Sequence, residues 1–149
     1  MPVLAVNRRA EFDYDILETY EAGIALHGFE VKSVKAGRMS LTGAFAVIKG
    51  EEVWLLGAAI PPYQPKNTPP DYEPTRTRRL LLHRAEIKKL TGTAAQRGLT
   101  LIPLKVYTRG SRIKLAIGLA RHRKKYDKRE RIREREAARE IARQLKHRG

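Results

Sequence analysis

The side chains able to do covalent chemistry are few in this sequence and poorly spaced for it. Cysteine is absent, which excludes disulfides, thiolate metal sites and cysteine nucleophiles. The serines are Ser33, Ser40 and Ser111, none inside a G-x-S-x-G elbow. The histidines are His27, His83, His122 and His147, with no H-x-x-x-H or H-E-x-x-H spacing for a metal. Glu51-Glu52 reads as a solvated hairpin tip, and Gly37, Gly43 and Gly50 do not form a phosphate loop. With no nucleophile, base or metal set in view, the chain is expected to be neither an enzyme nor the holder of a metal or cofactor.

Basic side chains are plentiful instead. Arg8 and Arg9 stand together, Lys32, Lys35 and Arg38 fall on or beside a short helical stretch, and Arg76, Arg78 and Arg79 follow a proline-rich loop. The densest cluster gathers Arg121, Arg123, Lys124, Lys125, Lys128 and Arg129 around Tyr126. Guanidinium groups bind phosphate bidentately, and an exposed aromatic offers a base something to stack on. Each cluster alone is equally compatible with ordinary surface. Together they point to nucleic acid, and the lack of periodic major-groove helices or zinc ligands favours RNA over duplex DNA.

Composition agrees. The 149 residues suit one domain, and a hydrophobic fraction of 42% can fill a core. Lys and Arg number 31 against 16 Asp and Glu, a formal net charge of +15, which suits nucleic acid first and anionic membrane second. The longest uncharged stretch, residues 53–65, holds three prolines and is too short to span a bilayer. Arg8-Arg9 after the apolar residues 1–6 reverses the order of a secretory signal, so a cytoplasmic protein is expected. The charge is uneven: residues 1–120 carry a net +7 and residues 121–149 a net +8. The last stretch has one aromatic and few large aliphatics, too little apolar surface to offset its ordering entropy. Residues 1–120 are therefore read as a folded body and 121–149 as a basic tail, with a merely solubilising terminus as the alternative. Self-repelling charge and the lack of a broad apolar helix face imply a monomer.

Phe12, Tyr14, Ile16 and Tyr20 alternate with acidic and polar neighbours, as in a half-buried strand interrupted at Leu17 and Glu18, although Ile16, Leu17, Tyr20 and Ile24 also fit a helix. Residues 30–36 fit a two-turn helix closed by Gly37. Residues 44–48 and 53–60 flank Lys49-Gly50-Glu51-Glu52 as a hairpin. Six of the eight prolines lie between Pro61 and Pro74, where no regular element is expected. The run at residues 78–82 precedes a helix over residues 84–90 ended by Thr91-Gly92, and residues 93–97 fit a further turn before Gly98. Residues 99–107 and 112–120 are strands around Thr108-Arg109-Gly110-Ser111, with Ile113, Leu115, Ile117 and Leu119 on one face and Arg112, Lys114, Ala116 and Gly118 on the other. Five or six strands with two or three short helices suggest a small closed or partly closed barrel, mainly β, for which the oligonucleotide-binding fold is the common scaffold with a basic surface.

Three ordered strings then become specific. Asn7-Arg8-Arg9-Ala10 with Tyr20-Glu21-Ala22-Gly23-Ile24-Ala25-Leu26 and Gly28-Phe29-Glu30-Val31-Lys32-Ser33 resembles the N-terminal half of the SmpB (small protein B) family. Pro74-Thr75-Arg76-Thr77-Arg78-Arg79-Leu80-Leu81-Leu82-His83 is similar to its second signature. Tyr126-Asp127-Lys128-Arg129 followed by Ile132-Arg133-Glu134-Arg135-Glu136 is similar to its third. The resemblance runs from near residue 7 to near residue 136.

The resemblance implies a closed antiparallel barrel and a role in trans-translation. Members carry alanyl-charged transfer-messenger RNA, alongside elongation factor Tu, to ribosomes stalled on messages lacking a stop codon. On that reading Arg8, Arg9, Glu21, Lys32, Lys35, Arg76, Arg78, Arg79, Leu81, His83, Lys124 and Lys125 meet RNA. Tyr126, Asp127, Lys128, Arg129, Ile132 and Arg133 belong to a tail that enters the empty message channel of the small subunit, disordered when free and helical there. His83 stands where some members have asparagine, and Tyr126 where others have histidine; both rings are planar and can stack. From the residues alone, Glu21 is either a base-edge acceptor or the partner of a nearby arginine. Leu81 is either core or an exposed contact, and His83 either a helix cap or a contact. The competing functional readings are a ribosomal or ribosome-assembly protein and an RNA-processing enzyme.

Overall fold

The computed structural model describes residues 2–123 together with residues 136, 137 and 139–143. In chain order the elements are β1 (Val3–Val6), α1 (Ala10–Asp13), β2 (Tyr14–Ile24), α2 (Gly28–Lys35), β3 (Phe45–Lys49), β4 (Glu52–Leu56), β5 (Arg78–Leu81), α3 (Arg84–Arg97), β6 (Thr100–Arg109) and β7 (Arg112–His122). Every strand pairing is antiparallel, in the order β1-β6-β3-β4-β5-β2-β7, and β6 also pairs with β7. That last pairing closes β6, β3, β4, β5, β2 and β7 into a ring, so the expected small closed antiparallel barrel is the observed one. β1 lies outside the ring, alongside the far half of β6.

Two hairpins set the registers. Lys49 faces Glu52 across Gly50-Glu51, and Arg109 faces Arg112 across Gly110-Ser111. Gly50 and Gly110 take φ of 66° and 63°, which side chains with a Cβ resist. In β7, Leu115, Ile117 and Leu119 point into the barrel and are essentially unexposed. They meet Leu55 of β4, Leu80 of β5, Leu101 and Val106 of β6, and Leu90 of α3. The opposite face of β7 packs Ala120 against Ala10 and Ile102 in a second, smaller cluster.

The structure corrects several expectations. There are seven strands, not five or six; β1 is only four residues long and shows no alternation. The strand at Phe12 begins at Tyr14, because Ala10–Asp13 form one helical turn whose Ala10 plugs the second cluster and whose Phe12 is exposed. The interruption at Leu17 is real: the β2–β7 register shifts between Ile16 and Glu18, as at a bulge. The second hairpin strand stops at Leu56, after which Ala59 makes an isolated bridge with Ser40. One 3-10 turn, Pro65–Asn67, interrupts the proline stretch.

The helix after His83 does not end at Thr91-Gly92 but runs to Arg97. Thr91 Oγ1 donates to the Ile87 carbonyl at 2.7 Å, and packing of Leu90 and Ala94 against the core outweighs the roughly 1 kcal/mol an interior glycine costs. β7 extends to His122, two residues past the expected edge of the body, where the His122 ring lies 4.4 Å from that of Tyr14. Residues 136, 137 and 139–143 are helical, and Glu140 and Arg143 pair across 3.7 Å. No helix among the described residues is long and apolar enough to cross a membrane.

Candidate nucleic-acid interface

The registers lay out the outer face of the barrel side chain by side chain. Leu81 of β5 stands opposite Gly23 of β2, which stands opposite Lys114 of β7, then Tyr107 of β6 and Val3 of β1. The neighbouring row runs Glu21, Ala116, Lys105, Val6. Period-two alternation puts all of these on the side away from the core, since Ala22, Ile24, Leu80, Val106 and Leu115 point inward. A shallow cleft beside the second row is lined by Arg8, Thr19, Lys105 and Ala116, which brings Arg8 onto the same face.

Glu21 is the one carboxylate among these outward residues of the two rows. Tyr107 Oη donates to its Oε2 at 2.5 Å, and Arg109 Nη1 reaches both oxygens at 3.0 and 3.2 Å. The tyrosine hydrogen bond, helped by Arg109 and the charge of Lys114, holds the Glu21 carboxyl below its usual range against some desolvation. Burial and the same carboxylate push the Tyr107 hydroxyl up to about 12. Lys105 Nζ lies 5.8 Å from the Tyr107 ring centroid. Of the two alternatives for Glu21, the structure shows the pairing with an arginine, on a carboxylate held ionised and partly exposed.

Leu81 is 48% exposed, which resolves the choice between core and surface; Leu80 is the core residue of that pair. Arg79 shares Leu81's face of β5, is exposed, and lies 3.6 Å from Glu52. His83 is exposed at the N-cap of α3, where its backbone N–H donates to Glu86 Oε1 at 3.1 Å. Arg9 is exposed ahead of α1, and Lys32 and Lys35 are exposed in the last turn of α2, where cations also suit the helix dipole.

Arg78 leaves the candidate set. It is wholly buried, lies 2.6 Å from Glu30 Oε2, and donates to the carbonyls of Ala58, Arg76 and Pro74 and to Tyr72 Oη. No donor is left to meet a phosphate. Arg76 is largely committed to the same carboxylate, at 2.5 Å, and to the Ala25 carbonyl. Lys124, Lys125, Tyr126, Asp127, Lys128, Arg129, Ile132 and Arg133 lie outside the described residues.

Sequence reading missed Lys105, Arg109, Arg112 and Lys114 as candidate interface residues, and Tyr107, which is buried, as the group that holds Glu21. Their signal is alternation: Lys105, Tyr107 and Arg109 recur at every second position of an apolar strand, and Arg112 and Lys114 do so in the next.

The SmpB family model, described as SmpB protein, matches residues 4–147. An SsrA-binding protein of Chloroflexus aggregans is 51% identical over 146 residues, covering 98% of this chain and 92% of that relative. The SsrA-binding proteins of Chloroflexus aurantiacus and Synechocystis are 53% and 51% identical over 130 residues, 87% of this chain and 81% and 84% of theirs. A solved structure described as "tmRNA-SmpB: a journey to the center of the bacterial ribosome" superposes with a TM-score of 0.69 at 47% identity, covering 89% of this chain and 96% of that one. With the barrel, its ordered signatures and these matches together, the chain belongs to the SmpB family.

Proposed function

We propose that this chain is a non-enzymatic RNA-binding factor of trans-translation. It binds the tRNA-like part of transfer-messenger RNA on the outer barrel face and brings that RNA to stalled ribosomes in the cytoplasm, alongside elongation factor Tu. The observation that carries this reading is exposed Leu81 beside partly exposed Glu21 on a face rimmed by Arg8, Lys105, Arg109, Arg112 and Lys114, in a chain about half identical to SsrA-binding proteins. The cations neutralise phosphates and fix the RNA's position, while the carboxylate accepts from a base amino or imino group, which no cation can do. Arg9, Lys32, Lys35, Arg79 and His83 widen the contact around that centre.

Residues 1–120 form the RNA-binding body in this reading, and the basic tail beyond it, with Lys124 and Lys125 at its root, serves the ribosome. Tyr126, Asp127, Lys128, Arg129, Ile132 and Arg133 meet the small-subunit RNA of the empty message channel. The protein acts as a monomer. Pull-down of the tagged chain from cells followed by RNA sequencing tests the reading: transfer-messenger RNA is recovered in excess, with ribosomal RNA enriched only when translation is stalled. Constant recovery of ribosomal RNA without transfer-messenger RNA would make it a ribosomal or ribosome-assembly protein instead.

A further inference from the structure

On β3 and β4 the alternation that fills the core leaves an apolar strip outside. Ala46, Val53 and Leu55 point inward, so Phe45, Val47, Trp54 and Leu56 point out. They stand in two facing pairs, Phe45 opposite Leu56 and Val47 opposite Trp54. Phe45 and Val47 are 47% and 37% exposed, and Trp54 and Leu56 are half-buried. An apolar patch of this kind, rimmed by polar residues, marks a surface that another molecule covers.

Its place in the barrel separates it from the RNA contact. In the ring order β6, β3, β4, β5, β2, β7, the β3–β4 pair lies across the barrel from the β2–β7 pair that carries Glu21 and Lys114. Its charge differs too. Residues 39–60 hold Lys49 alone against Glu51 and Glu52, in a chain of net charge +15. The charges along the border cancel: Lys49 faces Glu52 in the hairpin, and Arg79, opposite Trp54 on β5, lies 3.6 Å from Glu52. RNA would bring a phosphate with every nucleotide to a surface that has no net positive charge to neutralise it. A protein surface that is itself apolar and uncharged matches both properties, and aromatic side chains are the anchors such contacts use.

The position along the strands narrows the choice of protein. Ala46 pairs with Leu101, which pairs with Leu119 of β7, and the described barrel ends at Arg123, four residues on. Two strand spacings and four residues place the strip about 10 Å across and about 13 Å along from the root of the tail. Whatever body holds the tail is therefore within reach of the strip. We propose, on the footing of the trans-translation reading above, that Phe45, Val47, Trp54 and Leu56 dock an uncharged apolar surface of a small-subunit protein beside the channel that takes the tail. The barrel then bridges two unlike partners, RNA on β2 and β7 and protein on β3 and β4.

The chain has no cysteine, so Val47→Cys carries a single benzophenone photocrosslinker at the centre of the strip. In the complex of the full-length chain with transfer-messenger RNA and stalled ribosomes, irradiation joins it to a small-subunit protein, in an adduct that survives nuclease. A nuclease-sensitive adduct with RNA, an adduct only with a second copy of the chain, or no adduct from the ribosome-bound chain overturns the proposal. Phe45→Thr combined with Val47→Thr keeps β-branched residues in the strand while removing apolar surface. This double variant keeps its melting temperature and its affinity for the tRNA-like part of transfer-messenger RNA. Its occupancy of stalled ribosomes falls about tenfold, the scale of losing one interface anchor. Wild-type occupancy by the folded double variant overturns the docking site while RNA binding stands, and a loss of affinity for the free RNA assigns the strip to the RNA contact instead. Failure of the wild type to bind transfer-messenger RNA overturns the broader reading as well.

Discussion

Arg78 Nη2 sits 2.6 Å from Glu30 Oε2, and both side chains are completely buried. Two of the sequence signatures meet at this pair, because Glu30 belongs to the helix string of α2 and Arg78 to the basic string of β5. Tyr72, Arg76 and the His27 backbone N–H complete the shell around the carboxylate, so the network ties α2 and the proline-rich loop to the barrel wall. Removing Arg78 takes one of two cations from a buried carboxylate and leaves the Ala58, Pro74 and Arg76 carbonyls without their donor. Arg78→Ala is expected to cost about 3–5 kcal/mol, seen as a large fall in melting temperature. Lys105→Ala, on the surface, leaves the melting temperature nearly unchanged while weakening RNA binding. A chain whose stability is indifferent to Arg78→Ala would contradict the structural assignment of this arginine.

The same carboxylate gives the fold an acid limit. Burial raises the Glu30 pKa, but hydrogen bonds from Arg76, His27 and Arg78 outweigh it and bring the group from the usual 4.5 to about 2. A carboxyl whose folded pKa lies below its unfolded one contributes stability above the unfolded value and loses it as pH falls through the folded one. Urea midpoints should therefore drop between pH 4.5 and 2. In Glu30→Gln the chain starts less stable at neutral pH and falls less over that interval. Parallel decline of both proteins would place the acid sensitivity elsewhere.

On the outer face, the Tyr107 hydroxyl holds Glu21 ionised and aimed. Tyr107→Phe is expected to raise the Glu21 pKa, so that RNA affinity begins to fall at higher pH on acidification than in the wild type. Glu21→Ala loses roughly 1–3 kcal/mol of binding, the scale of a base-edge contact, without unfolding the barrel. Filter binding across pH, with circular dichroism as a control for folding, separates the two. Equal loss of thermal stability and affinity in Glu21→Ala would make the residue structural.

Much of the barrel was legible because alternation is a strong signal wherever one face is buried: Ile113, Leu115, Ile117 and Leu119 announced β7, and Gly50 and Gly110 announced two hairpins. The same rule, applied to β5, separates Arg78 and Leu80 from Arg79 and Leu81, and only the second pair faces out. Reading the three arginines as one basic cluster hid that. Burial of a charge is invisible until its partner is known, and Glu30 stands 48 residues away in the chain. β1 was missed because four residues cannot display a period, and Tyr107 because its partner Glu21 is 86 residues distant.

The RNA contact of the body should respond to salt as phosphate neutralisation does. If about six phosphates are paired, log K against log salt has a slope of about −4 to −5. Arg8→Ala and Lys105→Ala each make that slope shallower by nearly one, whereas Glu21→Ala leaves the slope unchanged and shifts the line. A flat salt response in the wild type would contradict a phosphate-based interface.

Residues 130–145 contain neither Gly nor Pro and alternate Arg with Glu around alanines, a composition that favours helix. Glu140 and Arg143 already pair at 3.7 Å in the described helical residues, an interaction worth about 0.2–0.5 kcal/mol on a helix surface. That is small against the cost of nucleating an isolated helix of this length. A channel walled by phosphates changes the balance by neutralising the arginines, so helix content should rise on binding the small subunit. The cut that tests this belongs after Arg123, since β7 runs to His122 and an Arg123 nitrogen donates to the Glu11 carbonyl. The shortened chain should keep most of its affinity for transfer-messenger RNA and lose tagging on stalled ribosomes. Tyr126→Ala should show a milder loss, and Tyr126→His less still, because a planar ring is retained. Tagging at the full rate by the shortened chain would reduce the segment to a solubilising appendage.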